Sequence, residues 1–168
     1  MVKRGAEMKA LIVYDSFFGN TLKVAEMFQK ELEHKKAQVE LAHVTKVDFD
    51  ALSKNDILIF GSPTRGFRAT QPMVLLLKNK NINYENKQTF VFDTRIDLED
   101  IKSKLLRKMI NSLGYATQNM EKILKKRKAL PIIDCEGYGV VSSEGPLKPD
   151  VSYRVEAAVT RLLDALKK

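Results

Sequence analysis

Leu11-Ile12-Val13-Tyr14-Asp15-Ser16-Phe17-Phe18-Gly19-Asn20-Thr21 is the stretch that decides the fold of this chain. Leu11 to Tyr14 is an apolar run of the kind buried on both faces of a parallel sheet. Asp15 to Thr21 interrupts it with a polar loop, and Leu22 to His34 then places apolar residues at helical spacing. A loop between a strand and a helix start suits an anion. Ser16 and Thr21 bring hydroxyl donors, Gly19 permits a tight turn, and the unpaired N–H groups of the first helical turn open into the same space. A phosphate monoester fits there without a lysine. The glycine–lysine pair of a Walker loop and the spaced glycines of a dinucleotide fingerprint are both absent, which disfavours nucleoside triphosphates. A strand-to-helix turn with a polar cap occurs in every α/β protein, so the rest of the chain has to be read with it.

Outward from that stretch, strand and helix patterns alternate. Val39, Leu41 and His43 alternate with Glu40 and Ala42, as in a less buried edge strand. Asp48 to Leu52 reads as a short helical turn, and Asp56 to Phe60 as a fully apolar strand running into the loop Gly61-Ser62-Pro63-Thr64-Arg65-Gly66-Phe67. A helix near Gln71 to Lys80 follows, then a strand at Thr89 to Phe92 ending in Asp93-Thr94-Arg95, and a fifth strand at Ala129 to Ile133. The last helix, Val151 to Leu166, aligns Val155, Ala158, Val159, Leu162 and Leu166, with Asp150 as its N-cap. Parallel neighbours need crossover connections, and these are helical. The pattern predicts a three-layer, doubly wound, five-stranded parallel sheet, with a ligand beyond the carboxyl ends of its strands.

Composition bounds the functions. With 168 residues, 44% of them hydrophobic, and no linker-like stretch, the chain reads as one domain over residues 1–168, with residues 1–8 as an extension that is disordered or precedes an alternative start. No apolar run approaches the ~20 residues of a membrane span, and no signal-peptide pattern follows the first residues, so a soluble, cytoplasmic protein is expected. Cys135 is the only cysteine, and His34 and His43 are the only histidines. A disulfide within the chain is excluded and a Cys/His metal site disfavoured. Both histidines read as solvated or edge positions.

Ser16-Phe17-Phe18-Gly19-Asn20-Thr21 resembles the phosphate loop of the flavodoxin family, a Ser/Thr-rich loop ending in Gly-Asn-Thr after the first strand. Gly61-Ser62-Pro63-Thr64 resembles that family's second flavin loop, Phe92-Asp93-Thr94-Arg95 the third loop of some relatives, and Glu144-Gly145-Pro146-Leu147 a segment of the same relatives. The resemblance runs from Lys9 to about Leu166, in the right order. It implies the flavodoxin-like fold, with the sheet in the order 2-1-3-4-5 and the ligand over the loops after the first, third and fourth strands, and FMN as cofactor. It would give the phosphate to Ser16, Phe17, Phe18, Gly19, Asn20 and Thr21, the ring and ribityl chain to Pro63, Thr64, Arg65, Gly66 and Phe67, and the pyrimidine edge to backbone groups of Asp93, Thr94 and Arg95. No catalytic residue and no metal site are assigned. The implied function is electron transfer, with an FMN-dependent reductase of quinones or small acceptors as the alternative and a flavin-free binding module as the second.

Two departures from the family stand out. Many flavodoxins sandwich the flavin between Trp and Tyr, but this chain has no Trp. Phe67 is then the stacking candidate, or else it packs inward beneath its loop. A segment is also inserted after the fourth strand, where Leu98, Ile101, Leu105, Met109 and Leu113 form a helical stripe with Lys102, Lys104, Arg107 and Lys108 off it. The expectation is that the stripe caps the sheet edge, with a homodimer contact or a lid beside the flavin as the alternatives. Charge is the remaining feature: 29 Lys and Arg against 21 Asp and Glu give a net +8, whereas the carriers of the family are usually acidic. A basic surface points to an acidic redox partner rather than nucleic acid, for which no binding motif is present. Arg65, Arg68 and Arg95 lie in or beside the two loops expected to approach the ring, where they stabilise a reduced, anionic flavin unless Asp93, Asp97 or Glu99 neutralises them.

Overall fold

The apolar runs at 10–13, 57–60 and 90–92 are fully buried and lie side by side as central strands. The structure, a computed structural model, describes residues 8–167; the extension expected at the amino end falls, apart from Met8, outside them. In chain order the elements are β1 (Lys9–Tyr14), α1 (Asn20–His34), β2 (Gln38–His43), α2 (Phe49–Lys54), β3 (Ile57–Pro63), α3 (Gln71–Lys78), β4 (Gln88–Arg95), a 3-10 turn (Leu98–Asp100), α4 (Lys104–Leu113), α5 (Ala116–Lys126), β5 (Leu130–Pro131), β6 (Glu136–Gly139) and α6 (Val151–Leu166). The sheet is parallel, in the order β2-β1-β3-β4-β5, with β6 also on β4. Registers such as Ala10↔Ile57 and Ile57↔Gln88 bring Tyr14, Pro63 and Arg95 to one end of the sheet.

Each face of the sheet carries a core. Val24, Ala25, Phe28 and Leu32 of α1 meet Val155, Ala158, Val159 and Leu162 of α6 over Ile12, Ile59, Phe90 and Phe92. Phe28 is fully buried against the rings of Phe90, Phe92 and Tyr138, and burial of a side chain that size contributes about 2 kcal/mol or more. The opposite face is covered by α3 and α5 through Met73, Leu77, Met120 and Leu124 over Leu11, Leu58, Phe60 and Val91. Arg127, in the basic run after α5, is part of this layer. Its guanidinium donates to the carbonyl oxygens of Leu77, Asn79 and Ile82, and so serves the carbonyls left open where α3 ends.

Three expectations are corrected. The fifth strand is split: Leu130–Pro131 pairs with the start of β4, and Glu136–Gly139 pairs with its end. Glu-Gly-Tyr-Gly carries little strand propensity, and it is in the sheet because Gly137 leaves room for the Arg95 side chain beside it. Asp150 precedes α6 but its carboxylate caps no backbone N–H. The stripe of the inserted segment does not cap the sheet edge. Leu105, Met109 and Leu113 are exposed, and only Ile101 and Ile110 of that segment are buried.

Candidate functional site

The loops after β1, β3, β4 and β6 meet over one end of the sheet around a cavity of about 110 Å3. Its lining is Ser16, Phe17, Phe18, Asn20, Thr21, Pro63, Thr64, Arg65, Thr94, Arg95, Ile96, Val140 and Ser143. No carboxylate is among them. Gly19, at φ +82°, turns the chain into α1 and itself offers no capping side chain; of the first-turn N–H groups, which have no intrahelical carbonyl to meet, that of Leu22 donates to Ser16 Oγ at 3.4 Å. Thr21 is buried, its hydroxyl 2.8 Å from that of Thr94, and Asn20 donates from Nδ2 to the Glu144 carbonyl at 2.9 Å. The first loop is thereby tied to the third and the last.

Beneath it, Asp15 acts as an anchor. Its buried carboxylate accepts from the Ser16 N–H at 2.8 Å and the Thr70 hydroxyl at 2.6 Å, while the Thr70 N–H donates to Ser62 Oγ at 3.0 Å. His43 brings Nε2 to 3.4 Å from the same carboxylate. It is an edge-strand residue, as expected, whose contact with Asp15 its place in an alternating strand gives no sign of.

Gly19, Asp93, Gly66 and Phe67 do not line the cavity, although all four stand in the predicted loops. Phe67 is half-buried with φ +67° and forms, with Gly66, the tip of a turn closed by the Arg65 and Arg68 backbones. Asp93 is fully buried and turned away under the sheet. It accepts from Arg95 Nε at 2.5 Å and Nη2 at 2.7 Å, from the Thr117 N–H at 3.0 Å and from the Thr64 hydroxyl at 3.1 Å. Burial pushes its carboxyl above the usual carboxylate range, and those four donors pull the other way. The Arg95 guanidinium lies 3.8 Å over the Tyr115 ring, whose hydroxyl donates to the Ile96 carbonyl. Its charge is thus spent on Asp93. Arg65 differs: it forms no ion pair among the described residues, and its guanidinium stands 5.1 Å from the ring centres of both Phe17 and Phe18. Val140 and Ser143 were not legible as site residues, because they reach the cavity only through the pairing of β6 with β4.

A family model described as Flavodoxin matches residues 12–129. The chain belongs to the flavodoxin family. A flavodoxin from Maridesulfovibrio salexigens is 44% identical over 59 residues, covering 34% of this chain and 40% of that relative's length. A flavodoxin from the domain Archaea aligns over 96% of this chain and 100% of its own, with 17% identity and a TM-score of 0.73. Oxidised flavodoxin 2 from Bacillus cereus aligns over 93% and 98%, with 20% identity and a TM-score of 0.72. At such identities the structures speak for the flavodoxin fold. Flavodoxin membership makes FMN the cofactor and electron transfer the class of function. The lining fits that cofactor, since hydroxyls, an amide and helix-start N–H groups meet with no carboxylate among them, the donor set a phosphate monoester needs. Among the described residues no helix is long and apolar enough to cross a membrane.

Proposed function

We propose that this chain is a single-domain, cytoplasmic electron carrier that holds FMN over the ends of β1, β3 and β4 and exchanges electrons with an acidic redox protein. The observation that carries the reading is the meeting of Ser16, Asn20, Thr21 and Thr94 at the start of α1 in a cavity free of carboxylates. FMN supplies the redox chemistry; the chain binds, orients and sets the local charge. Ser16 to Thr21 hold the phosphate, Pro63 to Arg65 flank the larger part of the cofactor, and Thr94 and Arg95 offer backbone groups. Asp93 works from below by fixing Arg95 and Thr64. The cavity is smaller than the ~300 Å3 or more that whole ligands occupy, so it encloses only part of the cofactor and the rest lies at its open side, where Phe17, Phe18 and Arg65 are exposed.

The carrier reading stands above the reductase reading because the hollow beside α4 is lined mainly by charged residues, including Asp97, Glu99, Arg107, Lys148 and Asp150. That is a poor seat for a flat apolar acceptor. Purified protein titrated with FMN should bind about one flavin per chain and quench its fluorescence, as expected of a single cofactor site. Dithionite should then reduce the bound flavin reversibly. A chain that binds no FMN at micromolar concentrations overturns the proposal and leaves a flavin-free binding module.

A further inference from the structure

Helix α4 is amphipathic, but it faces the wrong way for a core helix. Leu105, Leu106, Met109, Ile110 and Leu113 share one arc of its surface, yet Leu105 is 70% and Leu113 58% exposed while Ile110 alone is buried. No other helix or strand packs extensively against it. Polar contacts fix this orientation. Ser103 Oγ accepts from the Leu106 N–H at its start, and Arg107 donates to the carbonyl oxygens of Ile101 and Glu99. At the other end Tyr115 is clamped between the Arg95 guanidinium and the Ile96 carbonyl. The apolar arc is therefore held outward next to the loop that lines the cavity. Lys102, Lys104 and Lys108 border it, all exposed and with no ion pair among the described residues.

Resting on the carrier reading above, we propose that the outward face of α4 is the docking surface for the redox partner, a protein with an apolar contact patch ringed by carboxylates. The lysine rim selects an acidic occupant by charge complementarity and steers its approach. The leucine and methionine side chains supply a small dry centre of the size used in transient electron-transfer encounters. A second copy of the chain is disfavoured, because a two-fold contact through this face sets the same lysines against each other. Tyr115, two residues beyond α4, donates to the carbonyl of Ile96, which lines the cavity.

The test uses the full chain loaded with FMN and a reduced, acidic [2Fe–2S] ferredoxin as the probe donor, mixed by stopped flow. Two variants are compared with the wild type: Leu105→Ser with Leu113→Ser, and Lys104→Glu with Lys108→Glu. The leucine variant should lower the second-order rate constant about tenfold with its salt dependence kept, and the lysine variant about tenfold at low salt with that dependence flattened. FMN content and the rate of reduction by dithionite should stay unchanged in both. Wild-type ferredoxin rates in both FMN-loaded variants overturn the docking proposal. So does co-sedimentation of the wild type with phosphatidylserine vesicles that the leucine variant loses, or a wild-type dimer that the leucine variant converts to monomer. A wild type that takes up no FMN overturns the carrier reading instead.

Discussion

Thr21 joins two loops through one hydroxyl, at 2.8 Å from Thr94 Oγ1, and is buried at the start of α1. Thr21→Ala removes a donor from the phosphate end and should weaken FMN binding by ~1.5 to 3 kcal/mol, roughly ten- to hundredfold. Riboflavin affinity should barely move, and equal losses for the two ligands in fluorescence titrations would show that the loop does not read the phosphate. The two arginines should separate in the same way. Arg65 keeps its charge beside the cavity, so Arg65→Gln should lower the potential of the second one-electron step by on the order of 40 mV, the equivalent of ~1 kcal/mol of screened attraction. Arg95→Gln should leave the potentials in place and instead strip a fully buried carboxylate of its cation, at ~3 kcal/mol or more of stability and about 10 °C of Tm. Spectroelectrochemistry beside thermal melts checks both. Cys135 belongs at this scale too. Burial and the nearby Glu121 push its thiol from an ordinary 9 to about 11, so the folded chain keeps that proton after the unfolded chain has released it. Stability therefore falls as pH rises through that window, and alkylation of Cys135 by iodoacetamide should accelerate only toward pH 11. An inflection near the ordinary thiol value would refute this.

At the scale of elements, the split fifth strand makes the site four loops instead of three. β6 brings Val140 and Ser143 to the cavity and lays Gly137 against the Arg95 guanidinium. A methyl group at 137 would overlap that guanidinium, so Gly137→Ala should push Arg95 off Asp93 and reproduce a large part of the Arg95→Gln stability loss. Unchanged melting would mean that β6 can shift at little cost. Asp97, Glu99 and Asp100 gather around Lys148, whose ammonium is 2.6 Å from Asp97 and 2.5 Å from Asp100. The ammonium occupies the centre of the cluster, and the carboxylates hold its pKa above the ordinary lysine value. This ties the segment after β4 to the start of α6, and α4 is built on top of it.

For the whole molecule, the net charge of +8 governs encounters with other proteins. Reduction by an acidic ferredoxin should slow steeply as salt rises through the range in which the Debye length contracts from ~30 Å to ~8 Å. Reduction by dithionite should be far less sensitive to α4 substitutions. A protein-to-protein rate independent of salt would remove the acidic partner from the proposal.

The sequence by itself determined the alternation of buried strands and helices in two layers, and the family resemblance of its loops supplied the order of the sheet. The alternation follows from local patterns: short apolar runs bounded by turn residues, such as Leu11 to Tyr14 and Ile57 to Phe60, suit buried strands, the stripes of α1 and α6 suit helices packed on a sheet, and Gly19-Asn20-Thr21 marks a turn into a helix start. Only the tertiary structure decided which polar side chains face the cavity. Asp93 and Arg95 stand side by side in the sequence with Thr94, but strand alternation and the depth of Asp93 send their charges to each other beneath the sheet. His43 became a partner of Asp15 because parallel pairing sets Tyr14 opposite it. The stripe of α4 shows the same limit: periodicity identifies an apolar face, but the contacts of Arg107 and Tyr115 turned that face to solvent.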